Sequence, residues 1–187
     1  MAIRFHLARG DGPAAIRALD PLFRGSPGDP ATLVLSARTK RLAGDTRAAL
    51  IDFTAALAGL REPKPELWLE ANALHNNPAA VADIELALTR IGPAPTLVAR
   101  ALDLELQLRR PDAALSRLGR LAATAERPEI FLKRRGDLLI SLGRAGEARA
   151  AYAEALAAVG RLPAWIRTDE PTRLFIAQLT ALSAAND

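Results

Sequence analysis

The candidate catalytic and metal-binding residues of this chain are few and scattered. There is no cysteine, and His6 and His75 are the only imidazoles. His75 has only Glu70 near it, whereas a zinc site usually takes four ligands, so we expect a solvent-exposed turn residue and no metal. Asp103 and Glu105 stand two apart on a predicted helix and point to different sides, whereas an acid-base pair aims both carboxylates at one substrate. We therefore expect two surface charges, no enzymatic activity and no cofactor.

Three basic clusters raise the question of nucleic-acid binding: RTKR (38–41), RR (109–110) and KRR (133–135). A nucleic-acid site needs such residues on one stripe, ideally with stacking aromatic side chains between them. Successive residues of a helix diverge by about 100°, so each cluster distributes its charge around its helix. Glu129 and Asp137 also lie one turn from the third cluster. Solvated faces with local ion pairs are expected, without nucleic acid as a partner, although the net charge is +4.

The elements that must carry these residues are helices. Of 187 residues, 40 are Ala and 31 Leu, against 4 Val, 9 Ile and 8 aromatic residues, which favours helix over sheet. The sequence predicts an all-α chain, with 1–187 as a single domain. No apolar run approaches the roughly 20 residues that span a bilayer. The compartment stays open: the cytoplasm is favoured slightly, and the periplasm or secretion would require a signal peptide removed before residue 1.

Proline marks an internal repeat. Pro30, Pro63, Pro95, Pro128 and Pro163 recur at intervals of 33, 32, 33 and 35 residues, and proline is tolerated in the first turn of a helix. A second set, Pro13, Pro78 and Pro111, falls roughly midway and indicates two helices per repeat. The predicted first helices are 31–42, 65–75, 95–108 and 129–142. The predicted second helices are 13–23, 46–59, 78–91, 111–125 and 145–159, and 161–167 is predicted to be a loop before a last helix.

An alanine register supports this repeat. Ala recurs at intervals of 34, 31, 34 and 34 residues, and a larger apolar residue follows each Ala four positions later; the pairs are Ala15 and Leu19, Ala49 and Phe53, Ala80 and Ile84, Ala114 and Leu118, and Ala148 and Tyr152. Such spacing is typical of one helix face. A turn precedes each Ala, usually with a glycine that can adopt the left-handed conformation ending the previous helix; in the third turn, Asn76 and its neighbours replace glycine.

These patterns resemble the tetratricopeptide repeat, a helix-turn-helix unit of 34 residues. The closest segments are LAGDTRAALIDFTAAL (42–57) and SLGRAGEARAAYAEAL (141–156). The resemblance implies a right-handed α-solenoid of bacterial type with five repeats, at about 1–29, 30–60, 61–94, 95–128 and 129–162, and a capping helix at 169–185. The third unit departs from the pattern, because Trp68 stands where the other units have Ala37 or Gly136.

The resemblance also implies a concave groove in which the first helices hold a peptide or protein segment. Carried over by position, its lining comprises Ala31, Val34, Arg38, Arg41 and Leu42; Leu69 and Asn72; Thr96, Ala99, Asp103, Leu106 and Gln107; and Ile130, Lys133, Asp137, Ile140 and Ser141. Relatives that hold the carboxylate tail of chaperones use a clamp of Lys, Asn and Arg. The corresponding pairs here are Val34 with Arg38, Ala99 with Asp103, and Lys133 with Asp137, so that clamp is absent.

Three functional hypotheses follow. The first is a non-catalytic scaffold that binds a peptide or protein segment in the groove. The second is an accessory or regulatory domain detached from a longer enzyme or exported protein, because the first repeat has few residues before its turn. The third is a self-associating module, because Ile16, Leu19 and Phe23 would stay uncovered in that incomplete first repeat and form a homo-oligomer contact.

Overall fold

The computed structural model describes residues 2–75 and 77–184. It is 80% helical, and the described residues contain no strand, which confirms the all-α prediction. Twelve helices follow one another over those residues: α1 Ala2–Ala8, α2 Gly12–Gly25, α3 Pro30–Leu42, α4 Thr46–Gly59, α5 Pro65–Asn72, α6 Pro78–Ile91, α7 Pro95–Gln107, α8 Pro111–Thr124, α9 Pro128–Ser141, α10 Ala145–Gly160, α11 Ala164–Arg167 and α12 Glu170–Ala184.

Proline and short polar side chains begin these helices. Pro30, Pro95 and Pro128 each lie in the first turn of a helix, where their missing N–H group leaves no bond unmade. The Asp29 carboxylate accepts a hydrogen bond from the Thr32 amide at 2.8 Å, and the Asp169 carboxylate accepts one from the Thr172 amide at 2.7 Å. Hydrogen bonding to Thr172 also lowers the pKa of Asp169. Both carboxylates therefore act as N-caps.

Glycine ends the first helix of three repeats. Gly10, Gly44 and Gly143 have φ angles of 71°, 84° and 73°, a left-handed conformation that costs glycine little because it has no Cβ. Arg109 takes the same role without glycine, at φ 57°. Asn76, in the third predicted turn, lies outside the described residues.

The chain divides into two compact units, Met1–Leu108 (unit 1) and Arg109–Asp187 (unit 2). The prediction that 1–187 forms one domain stays a prediction. In unit 1, consecutive helices from α1 to α7 pack against each other, and α1 also contacts α3 while α5 contacts α7. The centre of its core is apolar and comes from several helices, with Phe53, Trp68, Ile84 and Leu97 almost fully buried.

Unit 2 packs α8 on α9, α9 on α10, and α10 on α12. Tyr152, Leu139 and Leu179 lie in its core. Leu179 belongs to α12, so the last helix covers the outer side of α10, as a capping helix should. The predicted residue 185 of this helix is outside the described part of the chain.

The alanine register is confirmed, because Ala15, Ala49, Ala80, Ala114 and Ala148 all have no exposed surface. The structure contradicts the predicted loop at 161–167 and the predicted exposure of Glu105. Residues 161–167 are not only a loop, since they contain α11. Glu105 is buried and only 4% exposed, because α7 is covered on more than one side and the two-residue step from the exposed Asp103 turns Glu105 inward.

Candidate functional site

The first helices of unit 1 carry most of the predicted groove residues, and two of their cations are already paired. The Arg38 Nε donates to Glu70 Oε2 at 2.9 Å, and the Arg41 guanidinium lies 3.4 Å from Glu70 Oε1. Glu70 therefore joins α5 to α3 through both arginines. Because the Glu70 carboxylate offsets part of their positive charge, these two arginines attract an acidic ligand less strongly than unpaired arginines would.

A cleft of about 330 Å³ opens beside this ion pair. Its lining combines apolar side chains with charged ones: Val34, Arg38, Leu60, Glu62, Lys64, Glu66 and Leu67. Of these, only Val34 and Arg38 were predicted from the sequence. Glu62, Lys64 and Glu66 lie in or next to the connection before α5, and repeat positions alone did not mark them because connections are outside the helical register.

Asn72 lies inside unit 1 and not on its surface. It is 1% exposed; its side-chain amide donates to the Ala80 carbonyl at 2.8 Å and its side-chain oxygen accepts from Arg100 Nε at 2.7 Å. These bonds join α5 to α6 and α7. Its neighbour in the prediction, Leu69, is half-buried against the core.

On α7, most of the predicted groove residues are exposed. Asp103, Leu106 and Gln107 are exposed, and Ala99 is half-buried. Leu106 exposes 38% of its surface. No hydrogen bond or ion pair within the described residues engages the Asp103 carboxylate, so this helix offers an unpaired anion beside an apolar side chain and an amide.

In unit 2 the predicted groove residues pair with each other. Lys133 Nζ donates to Asp137 Oδ2 at 2.9 Å, and the Tyr152 hydroxyl donates to Asp137 Oδ1 at 3.0 Å. Burial, followed by this hydrogen bond to Asp137, raises the pKa of Tyr152 to about 12. Ile140 is 37% exposed at the end of the same helix.

The remaining positions carried over from the resemblance are alike in exposure. Ala31, Leu42, Thr96, Ile130 and Ser141 are all exposed. Ile130 also lines a cleft of unit 2 beside Phe175. That these residues line a peptide-binding groove stays a prediction.

Sequence reasoning missed a buried polar cluster between α3 and α4. Asp52 is 7% exposed and its Oδ2 accepts from the Ser36 hydroxyl at 2.5 Å and from Lys40 Nζ at 2.6 Å. Ser36 and Lys40 also line an open cleft of about 440 Å³ with Ile16, Leu19 and Phe23. The i, i+4 spacing of Ser36 and Lys40 places them on one face of α3, which was the available signal.

His75 is not the solvent-exposed turn residue that was expected. Its side chain is 13% exposed, and Nε2 lies 2.9 Å from Asp83 Oδ2 on α6. Among the described residues, no group of His, Asp or Glu has the arrangement of a metal site. Within the same residues, no helix is long and apolar enough to cross a membrane.

The apolar residues of α2 that were expected to stay uncovered are only partly exposed. Ile16 is 50% exposed, whereas Leu19 and Phe23 are half-buried. Self-association through this side stays a prediction.

A comparison with a solved structure at a TM-score of 0.56 agrees with the repeat architecture. The C-terminal part of a TPR repeat-containing protein from Cytophaga hutchinsonii superposes with a TM-score of 0.56 at 10% identity, covering 98% of this chain and 71% of that one. A thermophilic TPR protein from Thermus thermophilus gives a TM-score of 0.41 at 21% identity, covering 92% of each chain. No family model matches the sequence. No curated protein matches it either.

The fold is therefore that of tetratricopeptide-repeat proteins. This likeness is structural, since the first of these neighbours shares so little sequence. It supports the fold predicted from the proline and alanine spacing, and it leaves the ligand to be argued from the side chains.

Proposed function

We propose that this chain is a non-catalytic interaction scaffold that binds a peptide segment on the first-helix face of unit 1. This face consists of Val34, Arg38, Arg41, Leu69, Asp103, Leu106 and Gln107. The observation that supports it best is on α7, where an unpaired carboxylate, an exposed leucine and an exposed amide lie within about one turn. Apolar anchors supply affinity at such surfaces, and charges set the register of the ligand.

The expected charge of the ligand follows from which charged side chains of this face already have an ion-pair partner. Arg38 and Arg41 are held by Glu70, whereas Asp103 has no partner within the described residues. A ligand with a lysine or arginine next to an apolar side chain suits this face, because the cation pairs with Asp103 while the apolar side chain packs on Leu106. The cleft beside Val34 would accept a second apolar side chain.

The test begins with a random peptide library selected on the full chain. The affinity of the best peptide is then measured for a variant in which Asp103, Leu106 and Gln107 are replaced by alanine. We expect at least tenfold weaker binding, about 1.4 kcal/mol. The control is Arg47→Ala, which changes an exposed residue of α4 and should leave the affinity unchanged.

Two results would contradict the proposal. A selection that yields no binding peptide would argue against a peptide scaffold as such. A peptide whose affinity is the same for the triple variant and for the parent chain would place the binding site away from α7.

A further inference from the structure

A further cavity of unit 1 lies among α4, α5 and α6. Its volume is about 220 Å³. Its lining comes from three helices, is mostly apolar, and includes Leu57, Ala58, Trp68, Asp83, Leu86 and Arg90. Leu86 is 52% exposed, so the cavity opens to solvent.

Arg90 gives this cavity a preference for aromatic rings. Its guanidinium stands over the ring of Trp68, with Cζ 5.9 Å from the ring centroid. It also donates to the carbonyls of Leu57 and Leu60, each at 2.8 Å. The guanidinium is therefore held in one orientation before any ligand arrives. A second aromatic ring that stacks on it would gain a cation–π contact without ordering a flexible side chain.

The size of the cavity suits a bicyclic ring. An engineered protein cavity of about 150 Å³ takes up benzene. Indole is half as large again as benzene, and the present cavity is larger by nearly the same factor. Asp83 adds a carboxylate to the lining whose side chain is 44% exposed. Because His75 Nε2 already lies 2.9 Å from Asp83 Oδ2, this carboxylate attracts a cation next to the ring less strongly than an unpaired one would.

The chain itself carries an exposed bicyclic ring next to cationic side chains. Trp165 on α11 is 74% exposed, the largest exposed fraction among the large hydrophobic residues in the described ranges. Arg161 and Arg167 flank it and are also exposed. An indole beside two guanidiniums complements a cavity that combines apolar walls, a planar cation for stacking and the Asp83 carboxylate.

We infer that the cavity at Trp68 and Arg90 binds Trp165 of a second copy of this chain. The two surfaces are different, so the contact is head-to-tail. Contacts of this kind leave one free cavity and one free tryptophan at the ends of every assembly and grow unless a ring closes. This interaction is separate from the peptide binding proposed for the first-helix face.

The first experiment is sedimentation velocity of the full chain over a range of concentrations. We expect the average mass to rise continuously with concentration. Trp165→Ala and Ala58→Phe should each weaken association at least tenfold, since the first removes the indole and the second fills the mouth of the cavity from an exposed position on α4. The matched controls are Leu174→Ala, an exposed apolar residue of unit 2, and Ala55→Phe, an exposed residue of α4 outside the cavity; both should associate like the parent chain.

The decisive experiment mixes the two defective variants. The Trp165→Ala chain keeps its cavity and the Ala58→Phe chain keeps its indole, so an equimolar mixture should form a dimer and stop there. A mixture that stays monomeric overturns the inference. It is also overturned if the parent chain stays monomeric up to about 1 mM, or if association survives both substitutions.

Discussion

Two helical hairpins of this protein occupy equivalent repeat positions and pack differently. In α9–α10 of unit 2, Gly136 lies directly beneath the ring of Tyr152, and a Cβ at Gly136 would overlap three atoms of that ring. In α5–α6 of unit 1, the equivalent position holds Trp68, which is 4% exposed. One hairpin depends on the absence of a side chain, and the other is built around the largest one.

The hairpin with Trp68 is held together by polar bonds that the other hairpin does not use at these positions. Asn72 bonds the backbone of α6, and Arg100 on α7 bonds Asn72. Arg90 on α6 bonds the backbone at the end of α4. Buried hydrogen bonds between helices, such as those of Asn72, favour one arrangement of these helices. A repeat can therefore lose its small residue if hydrogen bonds between helices replace the close approach of their backbones.

Replacing Trp68 by alanine tests this comparison with the largest expected effect. If α5 is built around the indole, Trp68→Ala leaves a cavity and lowers the free energy of unfolding by about 4 kcal/mol. The measurement is urea denaturation followed by far-ultraviolet circular dichroism. Trp165→Ala removes the chain's other tryptophan from an exposed site and should cost less than about 0.5 kcal/mol. A loss below about 1 kcal/mol for Trp68→Ala would mean that the helices close up and that both hairpins pack alike.

Gly136→Ala tests the other hairpin. The added methyl group overlaps the Tyr152 ring, and overpacking of this kind should cost about 2 kcal/mol. Gly119→Ala on α8 is the matched control, because a Cβ there has no neighbour within 4 Å. That control should stabilise the chain by about 0.5 kcal/mol, since alanine has the higher helix propensity. Equal signs for the two substitutions would show that Tyr152 does not require a glycine beneath it.

Most of the fold was predictable because its signals are local. Proline in the first turn, glycine in the turn and alanine at the helix contact are each set by the backbone of a few residues. The predicted helix 78–91 therefore coincides with α6, and the predicted 46–59 with α4. Helix α11 was missed because four residues, Ala164–Arg167, are too few to show a helical period.

The candidate site was less predictable because pairing between helices depends on their rotation and distance. The sequence marked Arg38 as a groove residue, and nothing local indicated that Glu70, 32 residues later, would bind it. Asn72 was predicted on the surface for the same reason. In contrast, Lys133 and Asp137 are four residues apart on one helix, and that spacing did predict an ion pair, which has an Nζ to Oδ2 distance of 2.9 Å.

The last test concerns the titration of the Tyr152 ring, which lies against Gly136. Tyr152 is the only tyrosine of the chain, so the absorbance of tyrosinate reports on it alone. Its pKa should be about 12 in the folded chain against 10.0 in an unfolded one, mainly because of burial and secondarily because of the bond to Asp137. The neutral phenol therefore stabilises the fold below pH 10, and this contribution is lost as the pH rises from 10 through about 12.

Replacing Asp137 separates the two causes of this shift. Asp137→Ala should bring the pKa of Tyr152 only part of the way back to its usual value, because burial remains, whereas Asp103→Ala should not change it. Tyr152→Phe should cost about 1 kcal/mol of unfolding free energy at neutral pH, the usual value of one hydrogen bond. If Tyr152 instead titrates at its usual pKa in the folded chain, the ring does not lie against Gly136, and the contrast with the hairpin of Trp68 fails.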